Sequence, residues 1–290
     1  MSIVSTALVA LAAFFWGISG GIGGILVDHD WAPSVVSFYR GFIGLLLVLA
    51  WLLLRPQHSG LSRRKLWIWS AIAGVGVAGN FSFYFLSIEH GNVAVAATLM
   101  YCAPVFVYLI SFALKLEKPT AFKWIAIILV MIGIVLLTNL YEISSSDLSL
   151  IGVGAGLLAG LSYAVFIFGF KYASPHGSPQ AILSIAFAVL ATLLLIPSDI
   201  DQTVAVVSSS DWPLFLALGS LGAGLSFVLY IIGLKRTQPA LASMVAMVEP
   251  VTATLFGVLI LKGDLGGIQV TGMAIILITV TMLSVISNRA

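Results

Sequence analysis

Two charged residues lie inside apolar stretches of this 290-residue chain, and they carry opposite charges. Arg40 stands seven residues after Pro33, and Glu249 directly precedes Pro250. A charge at membrane depth costs a few kcal/mol even on permissive scales, so such residues tend to pair or to contact an ion or a substrate. Glu249 could carry a proton, bind a substrate or make a structural hydrogen bond. Arg40 could instead extend to an interface as an anchor.

Aromatic and small polar side chains recur at helical spacing around these charges. Asn80 and Tyr84 are four residues apart and share a helix face, as do Ser226 and Tyr230. Rings with a polar edge suit an amphipathic small molecule, although ordinary helix packing would also account for them. We predict a substrate site or cavity made from Trp16, Tyr39, Asn80, Tyr84, Tyr101, Tyr163, Phe166, Ser226, Tyr230 and Met247. Proline removes a backbone hydrogen bond, so helix breaks are predicted at Pro104 and Pro250.

Other kinds of intramembrane chemistry lack their residues. His29, His58 and His176 fall in predicted loops and His90 at a helix end, and no aspartate lies within an apolar stretch. A metalloprotease, an aspartyl dyad or a serine and histidine pair would each miss a member. We therefore predict no enzyme, no metal site and no cofactor. A channel is also disfavoured, because the sequence has no rings of charge.

The elements that must position these residues are membrane helices. Hydrophobic residues make up 60% of the chain and charged residues 8%, with a mean hydropathy of +1.14, whereas about a quarter of residues are charged in soluble proteins. A helix needs roughly 20 apolar residues to cross a bilayer. Ten stretches qualify: Ile3 to Val27, Pro33 to Leu54, Leu66 to Ile88, Val93 to Leu114, Trp124 to Leu140, Ser149 to Phe170, Pro179 to Pro197, Trp212 to Leu234, Ala240 to Leu261 and Gly266 to Ser287. The prediction is an all-α integral membrane protein with ten transmembrane helices, and no nucleic-acid partner is expected.

The chain repeats itself with an offset of 146 residues. Pro33 falls on Pro179, and Pro104 falls on Pro250. This predicts two five-helix repeats, residues 1–140 and 141–290, that form one transport unit. Because five is odd, the second repeat must cross the membrane in the opposite sense. Inverted repeats build two related gates around a central site, which is the basis of alternating access. A duplicated bundle with only a scaffolding role is the alternative.

Charge is distributed unequally between the two sides of such a helix array. With loops assigned alternately, one side, called here the basic end, carries Arg55, Arg63, Arg64, Lys65, Lys115, Lys118, Lys123, Lys171, Lys235, Arg236 and Arg289. The other side, the acidic end, carries Asp28, Asp30, Glu89, Glu142, Asp147, Asp199, Asp201, Asp211 and Asp264, together with Lys262. Glu117 is the sole acidic residue assigned to the basic end. The positive-inside rule predicts that the basic end and both termini are cytoplasmic.

These residues carry a resemblance to a known family. Trp16-Gly17, Arg40, Ala94 to Pro104 with Glu117, and Ala240 to Pro250 with Asp264 resemble the ten-helix EamA type of the drug/metabolite transporter superfamily over the full chain. The resemblance implies an exporter of the bacterial inner membrane in which helices 1, 3, 4, 6, 8 and 9 enclose a cavity while helices 5 and 10 support it. Exporters of aromatic and other amino acids are the most similar members. Four-helix relatives use a glutamate in their first helix, which neither the first nor the sixth helix has here.

Charge also bears on the substrate. Phosphorylated substrates need several buried cations, and Arg40 is the only one available here. A neutral or zwitterionic molecule is favoured. For an amino acid, Arg40 could meet the carboxylate, and Glu249 or a tyrosine face could meet the ammonium group. A multidrug or other neutral-metabolite exporter and, less well supported, a channel remain open. The expected partners are a small-molecule substrate and the lipid bilayer, around a monomer.

Overall fold

The computed structural model describes residues 3–143 and 148–289, with side chains up to residue 286, and these ranges contain helices and no strand. Asp147 and the side chain of Arg289, assigned above to opposite ends, lie outside this description. The long helices are α1 Ile3–Asp28, α2 Pro33–Leu54, α3 Arg64–Glu89, α4 Val93–Ala113, α5 Ala121–Leu137, α6 Leu150–Ala173, α7 Pro179–Leu195, α8 Trp212–Leu234, α9 Pro239–Leu259 and α10 Gly267–Arg289. Short helical turns at Leu140–Glu142, Ile200–Ala205 and Val206–Ser208 lie between them.

The long helices follow the predicted apolar stretches in order. Eight of them are long and apolar enough to cross a membrane, whereas α5 and α7 have 17 residues each. Seventeen residues rise about 26 Å, which is the short limit for a span. Helix α5 begins three residues before the predicted stretch, because the Thr120 side chain caps it by accepting a hydrogen bond from the Lys123 amide at 3.3 Å.

Two helices are interrupted at mid-length, and a third is distorted. Helix α4 consists of Val93–Met100 and Ala103–Ala113, and α9 consists of Pro239–Val245 and Val248–Leu259. Pro104 and Pro250 lie in the first turn of the second segments, where a missing N–H is tolerated. Helix α8 contains a π-helical turn at Ser220–Leu225. Such turns are frequent at functional sites because they leave backbone carbonyls without regular partners.

Packing joins the two halves of the chain helix by helix. Helix α1 packs on α8 and α9, α2 on α7, α3 on α6 and α7, α4 on α6, and α5 on α10. Each helix of the first half thus has its most extensive neighbour in the second half. Under the 146-residue offset, α1 corresponds to α6, α3 to α8 and α4 to α9. The contact between α1 and α8 is therefore equivalent to the contact between α6 and α3. The contact between α1 and α9 is likewise equivalent to the contact between α6 and α4.

The connections meet at two opposite ends of the bundle. At the basic end, the Ser178 amide donates to the Ser59 carbonyl at 3.2 Å, and Gln180 donates to the Arg55 carbonyl at 3.2 Å. At the acidic end, Trp31 donates to Asp211 at 2.8 Å. Between the ends, the outer faces expose large apolar side chains such as Ile125, which suits a lipid environment.

Candidate functional site

Glu249 lies where α9 resumes after its interruption, and two helices fix its position. The Tyr163 hydroxyl of α6 donates a hydrogen bond to Glu249 Oε2 at 3.3 Å. From the other side, α1 approaches so closely that a Cβ at Gly17 would lie 2.6 Å from the Glu249 carbonyl oxygen and 2.6 Å from Thr252 Cβ. Only a residue without a side chain allows this crossing. Glu249 is partly buried.

Arg40 is held by uncharged groups. Its Nε donates to the Gly222 carbonyl in the π-helical turn of α8 at 3.3 Å, and its Cζ lies 5.0 Å from the centre of the Phe81 ring. The second contact is a cation–π interaction. Among the described residues, no ion pair within 4 Å joins Arg40 to an acid, so the direct Arg40 to Glu249 pair weighed from the sequence is not formed. The two charges still interact electrostatically.

Two tyrosines stand near the same charges. Tyr101 forms the interruption of α4 and is buried, and it interacts electrostatically with both Glu249 and Arg40. Tyr84 of α3 is half-buried and interacts electrostatically with Glu249. The interruptions of α4 and α9 thus meet around one carboxylate, one guanidinium and three phenol groups. We call Arg40, Tyr84, Tyr101, Tyr163 and Glu249 the charged centre.

A buried aromatic cluster adjoins the charged centre through Tyr163. The Trp16 ring lies 4.9 Å from Tyr230, 5.0 Å from Phe227, 6.2 Å from Phe166 and 6.4 Å from Tyr163, measured between ring centres. We call these five residues the Trp16 cluster. Trp16 Nε1, the Tyr230 hydroxyl and Ser226 Oγ are buried without a hydrogen-bond partner among the described residues. A buried polar group without a partner costs about 1–3 kcal/mol, so these atoms are well suited to receive a polar group from a bound molecule or a water.

Three further residues of the predicted site have other surroundings. Asn80 donates to the Ala159 carbonyl at 3.0 Å and ties α3 to α6. Met247 is fully buried in the interruption of α9. Tyr39 donates to the Thr203 carbonyl at 2.7 Å and packs on Phe215, so its contacts are with the acidic-end segment and not with the charged centre. Within the described residues, no group of three potential metal ligands occurs.

One residue with conspicuous geometry was missing from the predicted site. Glu117, in the connection between α4 and α5, is buried, forms an ion pair with Lys123, and accepts a hydrogen bond from the Ala240 amide at 3.4 Å. The sequence offered one signal for Glu117, because it is the sole acidic residue assigned to the basic end. Its contacts depend on how the two halves pack, and the sequence does not reveal them.

Comparison with known proteins settles the family. The sequence model of the EamA-like transporter family matches the chain twice, over residues 4–139 and again over residues 150–285. The chain belongs to the EamA-like transporter family. It is therefore a multi-pass membrane transporter, related to the drug/metabolite superfamily that the residue pattern resembles.

Individual relatives agree with this family. The chain is 26% identical to the uncharacterized transporter YwfM of Bacillus subtilis over 95% of this chain and 92% of that protein. It is 30% identical to an uncharacterized transporter of Archaeoglobus fulgidus over 83% of each chain. It is also 27% identical to the threonine/homoserine exporter RhtA of Salmonella typhimurium, over 70% of this chain and 66% of RhtA. A crystal structure with 19% identity superposes with a TM-score of 0.78 over 98% of both chains, which shows a shared fold.

Proposed function

We propose that this chain exports neutral amino acids across a bacterial inner membrane by alternating access. In this proposal ten helices span the bilayer as two inverted repeats, the protein works as a monomer, and the basic end with both termini faces the cytoplasm. The charge difference between the two ends supports that orientation.

The observation that carries the proposal is the state of the two partly buried charges of the charged centre. Arg40 and Glu249 are near enough to interact, yet each is held by uncharged groups instead of by the other. A zwitterion placed between them would neutralise both, with its carboxylate at Arg40 and its ammonium group at Glu249. Charge-assisted hydrogen bonds of this kind are among the strongest available to a binding site.

The substrate side chain would face the Trp16 cluster. Its rings offer apolar area, and the Trp16 indole N–H and the Tyr230 hydroxyl, which have no hydrogen-bond partner among the described residues, offer hydrogen bonds to a polar side chain. Both apolar and hydroxylated amino acids would fit such a wall. The name of the relative RhtA, a threonine/homoserine exporter, is consistent with this substrate class.

Alternating access is supported by the pairing of helices. Because the 146-residue offset relates the α1–α8 contact to the α3–α6 contact, exchanging the conformations of the two halves would move the opening from one end to the other. The two interrupted helices, α4 and α9, are equivalent under that offset, and they supply Tyr101 and Glu249.

A transport screen in proteoliposomes tests the proposal. Radiolabelled amino acids and a few cationic drugs would be supplied with and without a proton gradient. We expect uptake and counterflow of neutral amino acids, reduced at least tenfold in Arg40→Gln and in Glu249→Gln. Lys262→Gln and Asp201→Asn, which remove exposed charges at the acidic end, serve as matched controls and should transport normally. Absence of amino-acid transport under every gradient would refute the substrate assignment.

The same screen separates the alternatives. A multidrug or other neutral-metabolite exporter is favoured by the size of the Trp16 cluster, and it would move the drugs in preference to amino acids. A channel would show no counterflow. Gradient-driven transport that is unchanged in Glu249→Gln would exclude Glu249 as a proton carrier.

A further inference from the structure

Glu117 connects the two halves of the chain at the basic end. It belongs to the first half, and its Oε1 accepts from the Ala240 amide, in the first turn of α9, at 3.4 Å. Its Oε2 pairs with Lys123 of α5. Only 2% of its side chain is exposed. A carboxylate buried to this degree is retained only where partners compensate its charge.

Lys171 extends the same network into the second half. Its Nζ donates to the carbonyls of Leu234 at 2.9 Å, Lys235 at 3.2 Å and Thr237 at 2.7 Å, and it interacts electrostatically with Glu117. The network therefore gathers the ends of α6 and α8, the start of α9 and the α4–α5 connection. All residues of the first α9 segment, Pro239–Val245, are buried.

The equivalent place at the acidic end is built differently. The offset relates Ala240 to Ala94, whose amide donates to the Asn92 side chain of its own helix at 2.7 Å. It relates Glu117 to Gly263, whose amide donates to the Gly257 carbonyl of α9. Within the described residues, no hydrogen bond joins the α9–α10 connection to the start of α4. The first α4 segment is also looser, with Val93 exposed.

We propose that Glu117 is a gating residue: its contacts with Lys123 and Ala240 hold the basic end closed and must break before the charged centre can open to that side. This rests on the proposed alternating access. At the acidic end, the described residues include no equivalent tie between the α9–α10 connection and the start of α4, so in this proposal the structure is the state closed at the basic end. Opening would expose Glu117 and Lys123 to water, which replaces their mutual contact. The states closed and open at the basic end can then have similar free energies. Removing either Glu117 or Lys123 instead leaves the other charge unpaired in the closed state, which favours opening.

Thiol accessibility measures this gate without any substrate. The native thiol is removed as Cys102→Ala, and the reporter Ser243→Cys is placed in the fully buried first segment of α9. A second reporter, Ala97→Cys, occupies the equivalent position of α4. Membrane-impermeant maleimide is applied to sealed vesicles from either side.

Glu117→Gln should accelerate labelling of Ser243→Cys from the basic end at least fivefold and slow labelling of Ala97→Cys from the acidic end. Lys123→Gln should act in the same direction and repeats the test if Glu117→Gln does not fold. Asn92→Ala, which removes the equivalent cap within its own helix, is the matched control and should leave Ser243→Cys unchanged.

Labelling of Ser243→Cys that is unchanged in both Glu117→Gln and Lys123→Gln overturns the proposal. So does faster labelling of both reporters from both sides, which reports general loosening. The labelling experiment measures no transport, so the two proposals can fail separately. A failed amino-acid screen would not contradict the gating role of Glu117, and a failed labelling test would not contradict the substrate assignment.

Discussion

Helices α1 and α6 are equivalent under the 146-residue offset, yet they contact Glu249 in opposite ways. Where α1 has Gly17, α6 has Tyr163. Gly17 admits the backbone carbonyl of Glu249, and Tyr163 binds its carboxylate. One copy of the duplicated helix thus supplies room, and the other supplies a hydrogen bond.

The equivalent crossing, between α6 and α4, has no such carboxylate. Helix α6 crosses α4 at Gly160, where a Cβ would lie 2.7 Å from the Leu99 carbonyl, but Ala103 stands where α9 has Glu249. By the same 146-residue offset, Arg40 corresponds to Ala186. Close helix crossings therefore occur in both halves, whereas each charge occurs in only one of the two equivalent positions. Under the proposed alternating access, the two gates would therefore have similar helix crossings but different roles in binding.

Filling the space at Gly17 should have the largest effect. Gly17→Val would force side-chain atoms onto the Glu249 carbonyl and Thr252, and because backbone cannot yield, we expect a loss of about 3 kcal/mol or more. Thermal unfolding and size-exclusion profiles in detergent would show little folded protein. Gly20→Val on the same helix meets nothing within 4 Å and should fold normally. Equal behaviour of the two variants would contradict the close crossing.

Removing the hydroxyl at the related position should have a smaller effect. Tyr163→Phe deletes the hydrogen bond to Glu249, worth about 1.5 kcal/mol or more for a charged acceptor, so we expect transport efficiency to fall by roughly tenfold or more. Tyr230→Phe deletes a hydroxyl that has no partner among the residues described, and folding stability should change little. Kinetics in liposomes and unfolding in detergent would be measured for both. Unaltered transport in Tyr163→Phe would argue against a binding role for that hydroxyl.

Asn80 and Ser226 give a weaker version of the same contrast. They are equivalent by the offset, but within the described part of the chain only the Asn80 side chain makes a hydrogen bond, which ties α3 to α6. Asn80→Ala should destabilise the protein by about 1 kcal/mol, a typical value for interhelical bonds in membranes. Ser226→Ala should be nearly neutral. Denaturant unfolding in mixed micelles distinguishes the two variants. A larger loss of unfolding free energy in Ser226→Ala than in Asn80→Ala would contradict the hydrogen bond assigned to Asn80.

The smallest effect concerns pH at the acidic end. A hydrogen bond from Trp31 and a contact with His29 hold the pKa of Asp211 below its ordinary value of 3.8. A lowered folded-state pKa means that this contribution is present above pH 3.8 and disappears as pH falls through the lower value. The difference in Tm between the native chain and Asp211→Ala should therefore stay constant from neutral pH to about pH 4 and then shrink. A difference that shrinks already near pH 6 would contradict the assignment to Asp211.

The sequence predicted the long helices well, because apolar length is a local property. The interruptions of α4 and α9 lie a few residues before Pro104 and Pro250. Partners across helices were less predictable, since they depend on helix rotation: the bond from Tyr163 to Glu249 and the neutral surroundings of Arg40 required coordinates. Tyr39 looked like its aromatic neighbours in composition, and only the fold of the α7–α8 connection shows that its hydroxyl is occupied there.

The packing of each first-half helix against a second-half helix has a consequence for biosynthesis. When a ribosome has completed α5, the faces of α1 and α3 that will meet α8 and α6 still lack their partners. The first five helices must wait in the bilayer, or beside the insertion machinery, until the second five arrive. A chain terminated near residue 140 should therefore be a substrate for membrane quality control, and two halves made as separate chains should accumulate only when they are produced together.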